Sequence, residues 1–469
     1  MLALAPDYDY DLVSIGSGPA GQRAAVQAAK LGRRAAVIEK RRCVGGVCID
    51  TGTIPSKTIR EAVLAYAGVG ARGERLPWAR PASRPTADQL LAGVDAIIGR
   101  EIEVIEQQLS RNDVALIQGE ASFVDSHTFA IRTDAGVSRI TARHVVIAVG
   151  TRPAPTPGVE PDGQVVLNSD QIINLKKLPR ALAVVGAGVI GIEYASMFAA
   201  IGVQVTLVER RDRPLEFLDR EIVDELMHQL RQRNVTFRLG ESVESLAVTE
   251  SAPLRAVLNL ESGKQLVADA VLFSAGRLAA TDSLNLEAAG LTAGDRGRLT
   301  VDDTFRTTVP HIFAAGDVIG YPSLAATSSE QGRLAACQAF GIEARPMTRH
   351  FPIGIYAIPE ISMVGPPEHE LTAARVPYET GVARYREIAR GHILGDGSGF
   401  FKMLFHRKDR RLLAVHCLGT GATELVHVGQ AVLGLGGGLD YFLETVFNYP
   451  TLAECYKVAA LDASNKLRG

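Results

Sequence analysis

Three observations predict an α/β protein with two Rossmann-like units and a smaller α+β domain at the C-terminal end. A G-x-G-x-x-G pattern occurs twice, at Gly16, Gly18 and Gly21 and again at Gly186, Gly188 and Gly191. Each pattern follows a short apolar run and opens a stretch of helical composition. Each is followed by a glutamate 23 residues after its first glycine, Glu39 and Glu209. Beyond about Phe351 the alternation of strands and helices continues without a nucleotide signature.

The first unit reads strand, turn, helix, strand. "DLVSI" from Asp11 is a short buried strand, "GSGPAG" the turn, "QRAAVQAAKLG" the helix and "RRAAVIEK" the second strand. The plan recurs over Ala181–Arg210 as "ALAVVGAGVIGIEYASMFAAIGVQVTLVER", an internal duplication of architecture. Between the two, "LPWARPASRP" (Leu76 to Pro85) reads as a link and Thr86 to Leu109 as one long helix. "HVVIAVGTRPAPTPG" (His144 to Gly158) and "VLFSAGRLAATDSLNL" (Val271 to Leu286) read as crossovers between domains. The expected division is 1–152 with 278–350, 153–277, and 351–469.

Composition narrows the function. With 469 residues, 22% charged, and a formal net charge of -2, the chain offers no surplus of basic charge for nucleic acid. No run approaches about 18 apolar residues, so no membrane span is expected. The N-terminus has no basic, apolar leader, and five cysteines are too few for a disulfide scaffold. These features point to the cytoplasm. Ten histidines without ligand spacing, and no Walker loop, predict no metal site.

In each glycine pattern the first glycine turns the chain and the second lets a pyrophosphate approach the helix N-terminus. The third packs helix on strand, and the later glutamate accepts hydrogen bonds from an adenosine ribose. Two such sites in one chain suit a flavin and a nicotinamide. "HIFAAGDVIG" places Asp317 at a strand end, where its carboxylate suits the sugar-alcohol chain of a flavin. The helix beginning near Ala325 presents a positive dipole end to a reduced ring.

Together "GSGPAG", "GTIPSK", "VIAVGTRP", "GAGVIGIEYAS", "SAGR" and "IFAAGDV" resemble, in order, the flavoprotein disulfide reductases with two dinucleotide-binding domains. The resemblance spans the chain. It implies FAD in the first domain, held by Gly16, Gly18, Gly21, Glu39, Gly46, Gly150, Asp317 and Ala325. It implies NAD or NADP in the second, held by Gly186, Gly188, Gly191, Glu209, Arg210 and Gly276. It also implies a homodimer formed through the C-terminal domain.

Against the family's C-x-x-x-x-C-x-x-x-K, Cys48 and Lys57 match, but Thr53 stands where the flavin-proximal thiol belongs. Against H-P-T-x-x-E, Glu454 is kept, but Tyr449 replaces the histidine. A free phenol titrates near pH 10 and is a poor base at neutrality. Two linked losses, about 400 residues apart, indicate a reaction without dithiols. The pattern most resembles the branch that exchanges hydride between nicotinamide nucleotides, the soluble transhydrogenases. In that branch Lys57 reaches the flavin edge and pairs with Glu193. Cys43, which with Cys48 also makes C-x-x-x-x-C, precedes the Gly45-Gly46 turn and is read as lying away from the ring. Cys337, Cys417 and Cys455 read as small buried residues.

The implied reaction is NADPH + NAD⁺ ⇌ NADP⁺ + NADH, with the two nucleotides using one site in turn. Glu209 favours NAD; Arg210, with Arg211 and Arg213 nearby, offsets it for a 2′-phosphate. At ~4 Å and an effective dielectric near 20 a unit charge pair is worth roughly 4 kcal/mol of either sign. An NAD(P)H-dependent quinone or dye reductase, and a catalytically silent flavoprotein, are the alternatives.

Overall fold

The computed structural model describes residues 8–67, 85–156 and 158–468. Its compact regions group into two units. One takes in Met1–Thr58, Gly93–Ala154 and Gly276–Thr348; the other Ile59–Ala92, Pro155–Ala275 and Arg349–Gly469.

In the first unit the parallel strands Ala115–Gln118, Ala35–Glu39, Tyr10–Ile15 and Gly136–Ile147 lie side by side, and Ile312–Ala314 pairs with Gly136–Ile147. Gly136–Ile147 also pairs antiparallel with Thr128–Thr133, which in turn pairs antiparallel with Glu120–Phe123. Leu12, Val13, Val37 and Ile38 are buried, as continuous apolar runs covered on both faces must be. The helix Pro19–Lys30 packs on Ala325–Ala339 through small residues. A Cβ added at Gly332 would lie 2.0 Å from the Ala20 carbonyl oxygen, so only glycine lets the two backbones approach.

The second unit repeats the parallel plan in the order Val235–Leu239, Gln204–Glu209, Ala181–Val185, Ala270–Phe273 and Val166–Asn168. It continues into an antiparallel sheet of Ile353–Ile355, Ile361–Val364, Leu412–Leu418, Phe400–His406 and Tyr378–Arg384. The helices Ala422–Gly434 and Glu454–Arg468 cover this sheet over a core that includes Tyr385, Phe401, Phe442 and Tyr456. Among the described residues, no helix is long and apolar enough to cross a membrane.

One expectation changes. The stretch read as one helix from Thr86 to Leu109 is two, Ala87–Leu91 and Val94–Ser110. Thr86 caps the first in a reciprocal pair with Gln89, and the chain turns at Gly93, whose flexible backbone weakens a continuous helix. The two crossover segments pair with each other. Thr151–Pro153 and Arg277–Ala279 form an antiparallel ribbon. Of the link from Leu76 to Pro85, residues 76–84 lie outside the described residues.

Candidate active site

Each glycine pattern assigns three different jobs to its glycines. Gly16 has φ +102°, and a Cβ there would lie 2.5 Å from the Ala148 carbonyl oxygen. A Cβ at Gly21 would lie 1.9 Å from the Gly16 oxygen. At Gly18 nothing lies within 4 Å. The second unit matches: φ +101° at Gly186, a 1.9 Å clash at Gly191 and open space at Gly188. The middle glycine in each loop faces an empty cradle that a side chain would fill, directly before a helix N-terminus.

In the first unit this cradle belongs to an elongated cavity. Glu39, Cys48, Thr53, Gly150, Asp317 and Ala325 line it. Gly46, with φ +60°, lies against Gly18. Glu39 accepts hydrogen bonds from the Ser17 N–H (3.0 Å), the Ser17 hydroxyl (2.5 Å) and the Arg41 N–H (2.8 Å). Asp317 has a carboxyl pushed up by burial, against which the Arg277 charge and a hydrogen bond with Thr151 act. Arg277 in turn donates to the Thr151 hydroxyl (2.9 Å) and carbonyl (3.0 Å). The glycine cradle and the sugar-facing carboxylates fit a flavin dinucleotide.

The helix Thr53–Ala67 starts on this cavity, with Lys57 one turn along it. Burial raises the Cys48 thiol, opposed by a hydrogen bond with Thr53 and by the Lys57 charge. Cys43 is half-buried and does not line the cavity. All five cysteines are free thiols, and Cys337, Cys417 and Cys455 are buried.

In the second unit Glu209 is buried and accepts from the Ala187 N–H at 2.7 Å. Arg211, not Arg210, grips it: Nε donates to one carboxylate oxygen at 2.9 Å and Nη2 to the other at 3.0 Å. Burial pushes the Glu209 carboxyl up, but this fork and the backbone donors hold it below its ordinary value. Arg210 is exposed. Glu193, buried on the helix Val189–Ala200, accepts from the Tyr356 N–H at 2.8 Å. Gly276, at φ +125°, accepts from the Ala154 N–H at 3.0 Å and does not line the first unit's cavity.

At the C-terminal end Tyr449 is exposed and its bond to Pro450 is cis. Glu454 begins the last helix and accepts from the Thr451 N–H at 3.4 Å.

One further cluster has no local signature. The carboxylates of Asp219, Glu221 and Glu368 converge as metal ligands would, but the buried ammonium of Lys402 fills the space. It donates to Glu221 at 2.6 Å, to Asp219 at 3.2 Å and to Glu368. Its residues are scattered over 183 positions, so only the fold could bring them together.

The family model for pyridine nucleotide-disulphide oxidoreductases matches residues 10–332, and the model for that family's dimerisation domain matches 351–460. The chain belongs to the pyridine nucleotide-disulphide oxidoreductase family. As a member of this family it is an oxidoreductase that binds FAD and uses NAD(P). It is 53% identical over 462 residues to a protein of Mycobacterium bovis named soluble pyridine nucleotide transhydrogenase, with 98% of each chain covered. A protein of the same name from Pseudomonas aeruginosa is 43% identical over 467 residues, covering 98% of this chain and 99% of that one. Among solved structures, LpdA of Mycobacterium tuberculosis superposes with a TM-score of 0.88 at 27% identity, covering 96% and 99% of the two chains. The HOCl-induced flavoprotein disulfide reductase RclA of Escherichia coli gives 0.86 at 27% identity, with the same coverage.

Proposed function

We propose that this chain moves a hydride reversibly between NADPH and NAD⁺ through bound FAD, the two nucleotides entering one site in turn. The observation that carries this reading is Thr53. On the cavity that Cys48 also lines, where the disulfide reductases need a second thiol, Thr53 supplies only a hydroxyl. A hydroxyl does not form a disulfide, so no protein couple stands ready to take electrons onward. The names of the relatives support the same reading.

FAD, when bound, supplies the chemistry of accepting and returning a hydride. The chain's residues hold and orient. Gly16, Gly18, Gly21 and Gly46 would admit the flavin pyrophosphate, Glu39 the ribose, and Asp317 the sugar-alcohol chain. Gly150 and Ala325 line the same cavity, with the helix start at Ala325 favouring negative charge. Lys57 would stabilise negative charge at the ring, and Glu193 would position the nicotinamide side. Gly186, Gly188, Gly191, Glu209 and Gly276 would hold the nicotinamide dinucleotide, with Arg210 contributing its charge. Tyr449 and Glu454 keep the turn of the family's partner-lent acid/base motif without its imidazole.

The assignment of 1–152 with 278–350 to FAD, 153–277 to NAD(P) and 351–469 to dimerisation belongs to this proposal. A homodimer is supported by the dimerisation-domain match and by exposed apolar side chains on that segment: Leu435, Val446 and Tyr449 are 88%, 93% and 70% exposed. Five free thiols support a reducing compartment, the cytoplasm. No nucleic-acid, membrane or further macromolecular partner enters the reading.

An absorbance assay tests it. NADPH mixed with an NAD⁺ analogue of distinct spectrum should give the reduced analogue at catalytic enzyme. Turnover with quinone but not with the analogue would make the chain a quinone reductase. A flavin that NADPH fails to bleach would make it a silent flavoprotein.

A further inference from the structure

The duplicated architecture supplies its own control for the second nucleotide site. Both units end their second strand on a buried glutamate, Glu39 or Glu209. Both carboxylates accept from the backbone N–H of the residue after the first glycine, Ser17 at 3.0 Å and Ala187 at 2.7 Å. Both accept from the N–H of an arginine two residues on, Arg41 at 2.8 Å and Arg211 at 3.1 Å. The arginine side chains then part. Arg41 turns away to Asp50, and the Ser17 hydroxyl completes the shell of Glu39. Ala187 has no hydroxyl, and Arg211 turns back onto Glu209 with two N–H bonds.

We infer that Arg211, rather than the adjacent Arg210, is the residue that admits a 2′-phosphate to this site; the inference rests on the transhydrogenase reading above. The Glu209 side chain is 5% exposed and that of Arg211 is 38% exposed, so the guanidinium forms the solvent face of the pair. A guanidinium has five N–H groups, and two serve Glu209 through the side chain. Nη1 pairs with the exposed Glu216 carboxylate at 3.6 Å. A phosphate arriving beside Glu209 therefore meets a neutralised carboxylate and a guanidinium whose remaining partner, the long solvent-exposed pair with Glu216, it can replace. A plain ribose instead exchanges a hydroxyl for one arm of the fork and uses Glu209 as acceptor. Arg210 is exposed and makes no part of this arrangement.

The test uses the FAD-loaded protein and two probes that lack nicotinamide, adenosine 2′,5′-bisphosphate and adenosine 5′-diphosphate, titrated calorimetrically. Arg211→Gln should weaken the 2′-phosphorylated probe by about tenfold or more, and the other by less than about threefold. Equal weakening of both would mean that Arg211 only shapes Glu209, and would overturn the inference. So would a larger selective loss in Arg210→Gln. If Arg211→Gln fails to retain flavin, Arg211→Lys decides. It keeps the charge without the fork, and a selective loss of about threefold is expected; an unchanged ratio overturns the inference. Because binding is read without turnover, a protein that shows this selectivity yet transfers no hydride between nucleotides would fail the functional reading alone.

Discussion

Cys48 and Thr53 line the same cavity of the first unit, and the Thr53 side chain acts to lower the Cys48 thiol that burial raises. They occupy the two positions that a redox disulfide would bridge, Cys48 on the short helix Gly46–Asp50 and Thr53 at the start of the helix that carries Lys57. That relationship makes the first prediction an electron count. Anaerobic titration with dithionite should consume two electrons per FAD, and no long-wavelength thiolate–flavin band should appear. Thr53→Cys should raise the count to four and bring the band in. A count of four in the unaltered protein that Cys43→Ser returns to two would mean a Cys43–Cys48 couple instead, against the free thiols seen here.

The glycine loops predict opposite outcomes for two neighbouring substitutions. Gly188→Ala meets no atom within 4 Å, and Gly188 has φ -75°, so the fold should tolerate it with little change in Tm. The added methyl occupies the nucleotide's space, so NAD(H) and NADP(H) should bind at least about tenfold more weakly. Gly191→Ala drives a methyl to 1.9 Å from the Gly186 oxygen. It should cost about 1–3 kcal/mol of stability, read as a lowered denaturation midpoint. Equal effects on stability from both would contradict the assignment of the cradle.

Acid should destabilise this protein through His416. Burial pushes the imidazole down to about 4 from its ordinary 6.5, so the folded chain holds it neutral while the unfolded chain takes a proton. The folded-state value is the lower one. Stability is therefore fully present above about pH 6.5 and falls progressively as pH drops towards 4. Between pH 6.5 and 5 this one group should remove roughly 2 kcal/mol. Thermal midpoints at pH 7 and pH 5 check it. His416→Asn should show a smaller fall, and an identical fall would assign the effect to other groups.

Val446, 93% exposed and three residues before Tyr449, lies on the segment matched by the dimerisation-domain model. A dimer burying this side chain should be weakened by a charge there. Light scattering should give a dimer mass for the native chain and a shift towards monomer for Val446→Lys. A native chain that is monomeric at micromolar concentration would remove the homodimer from the functional proposal.

Much of this was written in local patterns. The glycine spacings, the apolar strands and the glutamates at their ends reappear in the structure because each depends on neighbours within about thirty residues. The absent second thiol was equally plain, since a missing atom needs no geometry to detect. Local reading was weaker where glycine interrupts a helix: the stretch from Thr86 to Leu109 breaks at Gly93, where backbone flexibility outweighed apolar periodicity.

Local sequence is thus enough for the pair of nucleotide-binding frames and for the loss of the dithiol relay. The tertiary structure alone decided which arginine meets Glu209. Three arginines within four residues of that glutamate have similar local prospects, and the turn after the strand sends Arg210 to solvent and folds Arg211 back. It alone decided that Asp219, Glu221 and Glu368 converge on Lys402. A buried ammonium is stable only where opposite charges replace the water it gives up. The positions that supply those charges are set by how strands and helices distant in sequence pack, which no local pattern records.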